Sequence, residues 1–128
     1  MAGKEIIHSD KAPQAIGPYS QGAKFGNFVF TAGQLGIDRA TGELVQGGVE
    51  AETRQAIHNL LSILEQAGVA AGNVLKTTVF LRDMQDFPRM NAVYASYFGE
   101  NPPARSTVQV AGLPKGGAVE IEAIAFIP

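Results

Sequence analysis

Arg105 opens a short β-type stretch, Arg105-Ser106-Thr107-Val108-Gln109-Val110, directly after Asn101-Pro102-Pro103-Ala104. Two prolines restrict the backbone on entry, so the guanidinium arrives on a stiff lead-in. Its donors match two carboxylate oxygens at once, which makes a small organic anion its natural ligand. The next candidate is Glu120, with Glu122 two residues further along a β-type run. Side chains two apart on a strand share a face at roughly 6.5–7 Å, and like charges that close resist joint ionisation; one pKa then rises toward the range of a general base. Asn91 is spaced beside Phe87, Tyr94 and Phe98 on an apolar helix side. A polar amide there must find a partner or face a cleft.

Competing chemistry is sparse. The chain has 128 residues and no cysteine, which removes disulfide scaffolds, thiolate metal sites and thiol nucleophiles. His8 and His58, the only histidines, read as surface residues, one near the N-terminus and one on the polar side of a helix, which argues against a metal centre or a Ser-His-Asp triad. A glycosidase could use Glu120 and Glu122, but the chain has no tryptophan and is too short for a long sugar groove. Net charge is −2, with both signs interspersed, and nothing resembles a stripe for a phosphate backbone; nucleic acid is not an expected partner. No run of about 18 apolar residues occurs, and Met1-Ala2-Gly3-Lys4-Glu5 lacks a signal-peptide core. A cytoplasmic protein with no membrane partner is expected. Gly47-Gly48 and the Gly112–Gly117 stretch fit neither nucleotide-binding loop and read as turns.

A hydrophobic content of 45% over this length suits one domain spanning 1–128. Lys4–His8 reads as a strand, followed by a loop from Asp10 to Pro18. Ser20–Phe25 and Phe28–Gln34 form a hairpin around Gly26-Asn27, and Asp38–Glu43 is a turn. Val49, Thr53, Ala56, Ile57, Leu60, Leu61, Leu64 and Ala67 recur at helical spacing; Glu50 and Glu52 open that helix and Gly68 stops it. Val74–Leu81 reads as a strand. A second helix has Asp86 as N-cap and ends at Gly99. In the last strand, Ala118–Ile127, one face is apolar, and the other carries Glu120, Glu122, Ile124 and Phe126. The strand from Phe28 places Phe28, Phe30 and Ala32 on one side, with Val29, Thr31 and Leu35 on the other. Two helices cover only one face of such a sheet, so the second face calls for further subunits, with sites at their boundaries.

Six ordered blocks closely resemble the RidA (YjgF) family of reactive intermediate deaminases: Ala15-Ile16-Gly17-Pro18-Tyr19-Ser20-Gln21-Gly22, Thr31-Ala32-Gly33-Gln34, Lys76-Thr77-Thr78-Val79-Phe80-Leu81, Pro103-Ala104-Arg105-Ser106-Thr107-Val108, Leu113-Pro114-Lys115 and Val119-Glu120-Ile121-Glu122-Ala123. They run through nearly the whole chain. The resemblance implies an α/β (α+β) chorismate-mutase-like domain, a mixed sheet with two helices on one face, and a homotrimer with a central sheet barrel. It also implies hydrolysis of 2-imino acids or their enamine tautomers, such as 2-iminobutanoate and 2-iminopropanoate, to 2-keto acids and ammonia, without metal or organic cofactor. On that resemblance Arg105 holds the substrate carboxylate, Glu120 activates water, and Tyr19 hydrogen-bonds substrate or product. Gly33 and Thr107 supply backbone contacts, and Asn91 borders the cleft.

Two positions depart from the pattern. Many relatives have serine at Ala32 and cysteine at Thr107; Ala32 stays in the expected substrate-binding set without a hydroxyl, and no thiol role carries over to Thr107. Another class of function stays open. The same family has members described as ligand sensors, or as translation inhibitors with ribonuclease activity. A keto-acid sensor needs Arg105 but not Glu120, whereas a ribonuclease wants a histidine or lysine pair and a basic approach.

Overall fold

The computed structural model describes residues 3–128. Met1 and Ala2, the start of the segment read as lacking a signal-peptide core, lie outside the described residues. Seven strands and two helices share one hydrophobic core: β1 (Glu5–Ile7), β2 (Gly22–Phe25), β3 (Phe28–Thr31), β4 (Gln34–Leu35), α1 (Gly48–Gln66), β5 (Val74–Leu81), α2 (Phe87–Phe98), β6 (Ala104–Gln109) and β7 (Val119–Phe126). The sheet order is β1-β2-β3-β7-β5-β6, with β4 also on β7; only β5 and β6 are parallel, joined through α2. This is a mixed α+β architecture. No helix among the described residues is long and apolar enough to cross a membrane.

The apolar stripe of α1 is buried through Val49, Thr53, Ala56, Ile57, Leu60 and Leu64 as the spacing predicts, while Leu61 and Ala67 are only partly buried and Ile63, not in the expected set, is fully buried. The stripe packs on Val119, Ile121, Ala123 and Ala125 of β7, all buried, and each valine, leucine or isoleucine so enclosed contributes about 1.5–3 kcal/mol. The helix starts at Gly48, so Glu50 lies in the first turn and Glu52 lies beyond it. Glu52 is a correction to the sequence expectation: it turns inward and its Oε1 accepts from Ala118 N at 2.8 Å, tying the turn before β7 to α1. Asp86 holds the N-cap position of α2 as expected, although its side chain bonds Arg89 and accepts from no backbone N–H of that helix. The short turn just before it, Met84–Asp86, is capped by Asp83, whose carboxylate accepts from Gln85 N.

The hairpin at Gly26-Asn27 forms with Phe25 opposite Phe28, and only Gly26 takes a positive φ, as a turn with glycine in first position requires. Phe28–Gln34 is not one regular strand. Phe30 lies opposite Ile124 and Gln34 opposite Ile121, so four steps on one strand match three on the other: a β-bulge centred on Ala32 and Gly33. Thr31 Oγ1 accepts from Ala123 N at 3.0 Å beside it, and Ala32 N donates to Gln21 O. The extra residue inverts the side-chain parity beyond it. Leu35 therefore pairs with Glu120 and shares its side, not that of Val29.

Both helices pack on one face. The opposite face exposes Phe25 at 58%, Phe28 at 51% and Phe30 at 46%, with Ile6 beside them, an apolar area of the kind a partner covers. The first helix stops as expected, because Gly68 adopts φ +76°, Gly68 N donates to Glu65 O and Val69 N to Leu64 O. Gly68→Ala meets no atom but must hold that backbone, whereas Gly72→Ala, equally unhindered, carries no positive φ. Urea melts are expected to show Gly68→Ala less stable by about 1 kcal/mol and Gly72→Ala no less stable than the parent.

Candidate active site

Arg105 faces the helices. In the parallel ladder it lies beside Thr77, and Thr107 lies beside Val79; Thr77 and Val79 are both fully buried under the helical layer. The guanidinium is held from three directions. Nη1 donates to Asn91 Oδ1 at 2.7 Å, and the charged carbon sits 4.7 Å from the centre of the Tyr94 ring and 5.4 Å from that of Phe87. Phe87, Asn91 and Tyr94 recur every three to four residues along α2, so one helix face supplies all three. The Asn91 amide thereby finds the partner its apolar setting demands. Arg105 opens onto a cavity of about 420 Å³ that is also lined by Asn91, Tyr94, Phe98, Pro102 and Pro103. Thr107 Oγ1 is enclosed nearby without a hydrogen-bond partner.

Glu120 faces the other way. It pairs with Phe80 and Leu35, on the side of the sheet that the helices leave open. It lines a cavity of about 590 Å³ with Tyr19, Gly33, Gln34, Ile16 and Pro114. Gly33 is what lets the carboxyl lie there: a Cβ at this position would stand 2.7 Å from Glu120 Cδ, so the bulge and its glycine clear the space. Glu120 makes no hydrogen bond or ion pair among the described residues. Burial pushes its carboxyl above the usual range, and the neighbouring Glu122 charge adds to the rise, as the two-residue spacing predicts.

Tyr19 borders the same cavity, half exposed, with its hydroxyl accepting from Ile16 N at 3.3 Å. Gln21, buried beneath, binds Ser9 and Pro13 and so fastens the loop that carries Tyr19. Ala32 lies outside this cavity, in a shallow groove with Tyr19, Phe30 and Thr31. The expected set therefore divides. Tyr19, Gly33 and Glu120 come together, Arg105 and Asn91 come together, and the two cavities share no lining residue. Sequence reasoning treated Phe87 and Tyr94 only as packing residues, gave Gln21 no role of its own and read Glu52 as a first-turn acid. The spacing of Phe87 and Tyr94 around Asn91 was the available signal for the first two; nothing local marked the others. His8 bonds Asp10 and His58 bonds Tyr97, both at the surface and in neither cavity.

These features define an α+β protein with an anion-type cradle on one sheet face and, on the other, a half-buried carboxyl that makes no hydrogen bond or ion pair among the described residues and whose pKa is raised. Residues 9–127 match the family model described as Endoribonuclease L-PSP. The chain belongs to that family, the RidA (YjgF) proteins that its six sequence blocks resemble. It is 50% identical over 122 residues to the mouse 2-iminobutanoate/2-iminopropanoate deaminase, covering 95% of this chain and 90% of the relative. The YjgF gene product of E. coli superposes with a TM-score of 0.91 at 46% identity, over 97% of this chain and 99% of that one. E. coli TdcF with bound serine gives 0.90 at 44% identity, over 95% and 98%.

A raised carboxyl pKa means the folded state holds its proton to higher pH than the unfolded chain does; the stability this gives is present at low pH and lost as pH rises through the folded value. Glu120 therefore opposes folding at neutral pH. Glu120→Gln is expected to melt at the same temperature or higher at pH 7, with the gain vanishing in acid. In the parent, carbon NMR of labelled glutamates should place the Glu120 midpoint above those of exposed glutamates, and Glu122→Gln should lower it.

Proposed function

We propose that this chain hydrolyses 2-imino acids, with 2-iminobutanoate and 2-iminopropanoate as the small-side-chain cases, to 2-keto acids and ammonia. The site is shared between subunits of a cytoplasmic homotrimer of chorismate-mutase-like fold. The observation that carries the reading is the placement of Glu120, a half-buried carboxyl with a raised pKa and no bonded partner, in an apolar cavity beside Tyr19 and Gly33. The name of the mouse relative and the serine bound to TdcF, a small molecule with a carboxylate, support the same chemistry.

Arg105 forks the substrate carboxylate and so fixes the adjacent imine carbon. Asn91 acts through Arg105, while the backbone at Gly33, Ala32 and Thr107 offers further polar contacts. Water adds to C2 of the protonated imine as its proton passes to Glu120, giving a carbinolamine. Glu120 returns that proton to nitrogen, the C–N bond breaks, and the hydroxyl proton leaves as the ketone forms. The balance is one iminium and one water to one keto acid and one ammonium. Tyr19 hydrogen-bonds the substrate or product oxygen. A protonated imine is electrophilic already, so a modest base suffices and no covalent nucleophile is required.

Strand parity gives the reason for sharing. One small molecule cannot touch Arg105 and Glu120 of the same chain through the sheet, whereas packing the exposed Phe25–Phe28–Phe30 face on a neighbour brings the two kinds of cavity toward each other across a boundary. A pure sensor would have no use for an unpaired Glu120.

Arg105→Ala and Glu120→Gln are each expected to lower hydrolysis of dehydratase-generated 2-iminobutanoate by about 100-fold or more. Co-assembled in equal amounts, the two inactive variants should recover roughly a quarter of parental activity, because each shared site draws an intact Arg105 and an intact Glu120 by chance. No recovery from verified mixed oligomers would place the site within one chain. Retained activity in both variants would remove the mechanism.

A further inference from the structure

The Tyr94 ring does more in this fold than fill space. It is almost fully buried, and its hydroxyl lies 2.6 Å from Thr77 Oγ1. Thr77 is the β5 residue directly beside Arg105 in the ladder, on the same face. A closed path thus runs from β5 through the α2 ring and back to β6: threonine hydroxyl, phenol, ring face, guanidinium. A tyrosine hydroxyl needs a partner when buried, and here the partner belongs to the strand whose neighbour carries Arg105. The tilt of the ring is therefore set by the same ladder that sets the guanidinium. Asn91 fixes the cation from its edge and Tyr94 from its face, and no acidic side chain bonds it among the described residues.

We propose that Tyr94, pinned by Thr77, is the positioning residue that keeps Arg105 in place for an incoming carboxylate. This rests on the reading that Arg105 receives that group. A carboxylate clamp would collapse onto any acidic neighbour, so an arginine waiting for an anion is better held by a π-face, which attracts the cation without occupying its donors. The proximity of the cation also works on the phenol, opposing the rise that burial imposes on the Tyr94 pKa.

The test uses the assembled protein and 2-oxobutanoate as the ligand, with Kd by calorimetry and steady-state KM and kcat. Tyr94→Leu, which removes the face, is expected to raise Kd and KM about 5- to 30-fold while kcat stays within about threefold. Tyr94→Phe keeps the face but frees it from Thr77, so Kd and KM should rise less than in Tyr94→Leu, about two- to fourfold, while the orphaned Thr77 hydroxyl lowers the melting temperature. A loss of stability alone would lower melting temperatures without this split. The inference is overturned if Tyr94→Leu binds as the parent does, if Tyr94→Phe is as weak as Tyr94→Leu, or if kcat falls while Kd and KM hold. Should the leucine variant not assemble, Thr77→Val, which removes the pin and keeps the ring, supplies a milder version, expected at about two- to fivefold in Kd, and an unchanged Kd there would overturn the pinning. Arg105→Ala run alongside separates the two layers. If it binds 2-oxobutanoate normally, the carboxylate site itself is wrong; if it binds weakly while the ring variants bind normally, only the role of Tyr94 fails.

Discussion

Side chains alternate across a strand, and that parity governs the whole arrangement. Counted along the ladders, Arg105 shares a face with Thr77 and Ala123, and Glu120 shares the other with Phe80 and Val108. No local adjustment brings them together, because a one-residue shift would drag the buried core of β7 into water. The cation consequently belongs to the helical layer, where aromatic rings and an amide hold it. The carboxyl belongs to the open layer, where nothing neutralises it. Pairing with β7 is irregular at Val74–Lys76 and at Ala32 and Gly33, and the second of these bulges falls where the carboxyl needs room.

The two faces also differ in what they cost the molecule. The helical face is a packed core in which Arg105 is cushioned by rings and bonded to Asn91. The open face keeps exposed phenylalanines and a carboxyl whose ionisation is resisted by burial and by Glu122, features that lower stability in the isolated chain. Residues that break the rules of economical folding cluster on the side where chemistry and partners are proposed, which is where strain is usually tolerated.

Much of this was legible in the sequence. The α1 periodicity, the Gly26-Asn27 turn, the Gly68 stop, the alternation of β7 and the Glu120–Glu122 spacing are local patterns, and each appears in the structure where local reasoning puts it. The bulge was not legible. A one-residue insertion depends on how β3 and β4 meet β7, some ninety positions away, and the sequence Thr31-Ala32-Gly33-Gln34 alternates as smoothly as an unbroken strand. For the same reason Leu35 was assigned to the wrong face. Glu52 was missed because an acid early in a helix is ordinarily a dipole partner, and only the tertiary approach of Ala118 gives it another use. The separation of Arg105 from Glu120 required the parallel pairing of β5 with β6, and parallel pairing leaves no turn signature in the chain.

The placement of β7 has a consequence for synthesis. This C-terminal strand lies in the middle of the sheet, with β3 and β4 along one side and β5 along the other, so it is the seam that joins the two halves. Before it emerges from the ribosome, the hairpin β1–β2–β3 and the β5–α2–β6 unit have no shared ladder, and α1 lacks the surface it covers. Such late, long-range closure makes folding slow compared with a helical bundle and leaves nascent edges open until β7 is made. It also means that a chain cut short before β7 lacks both the seam and Glu120, the carboxyl proposed to activate water.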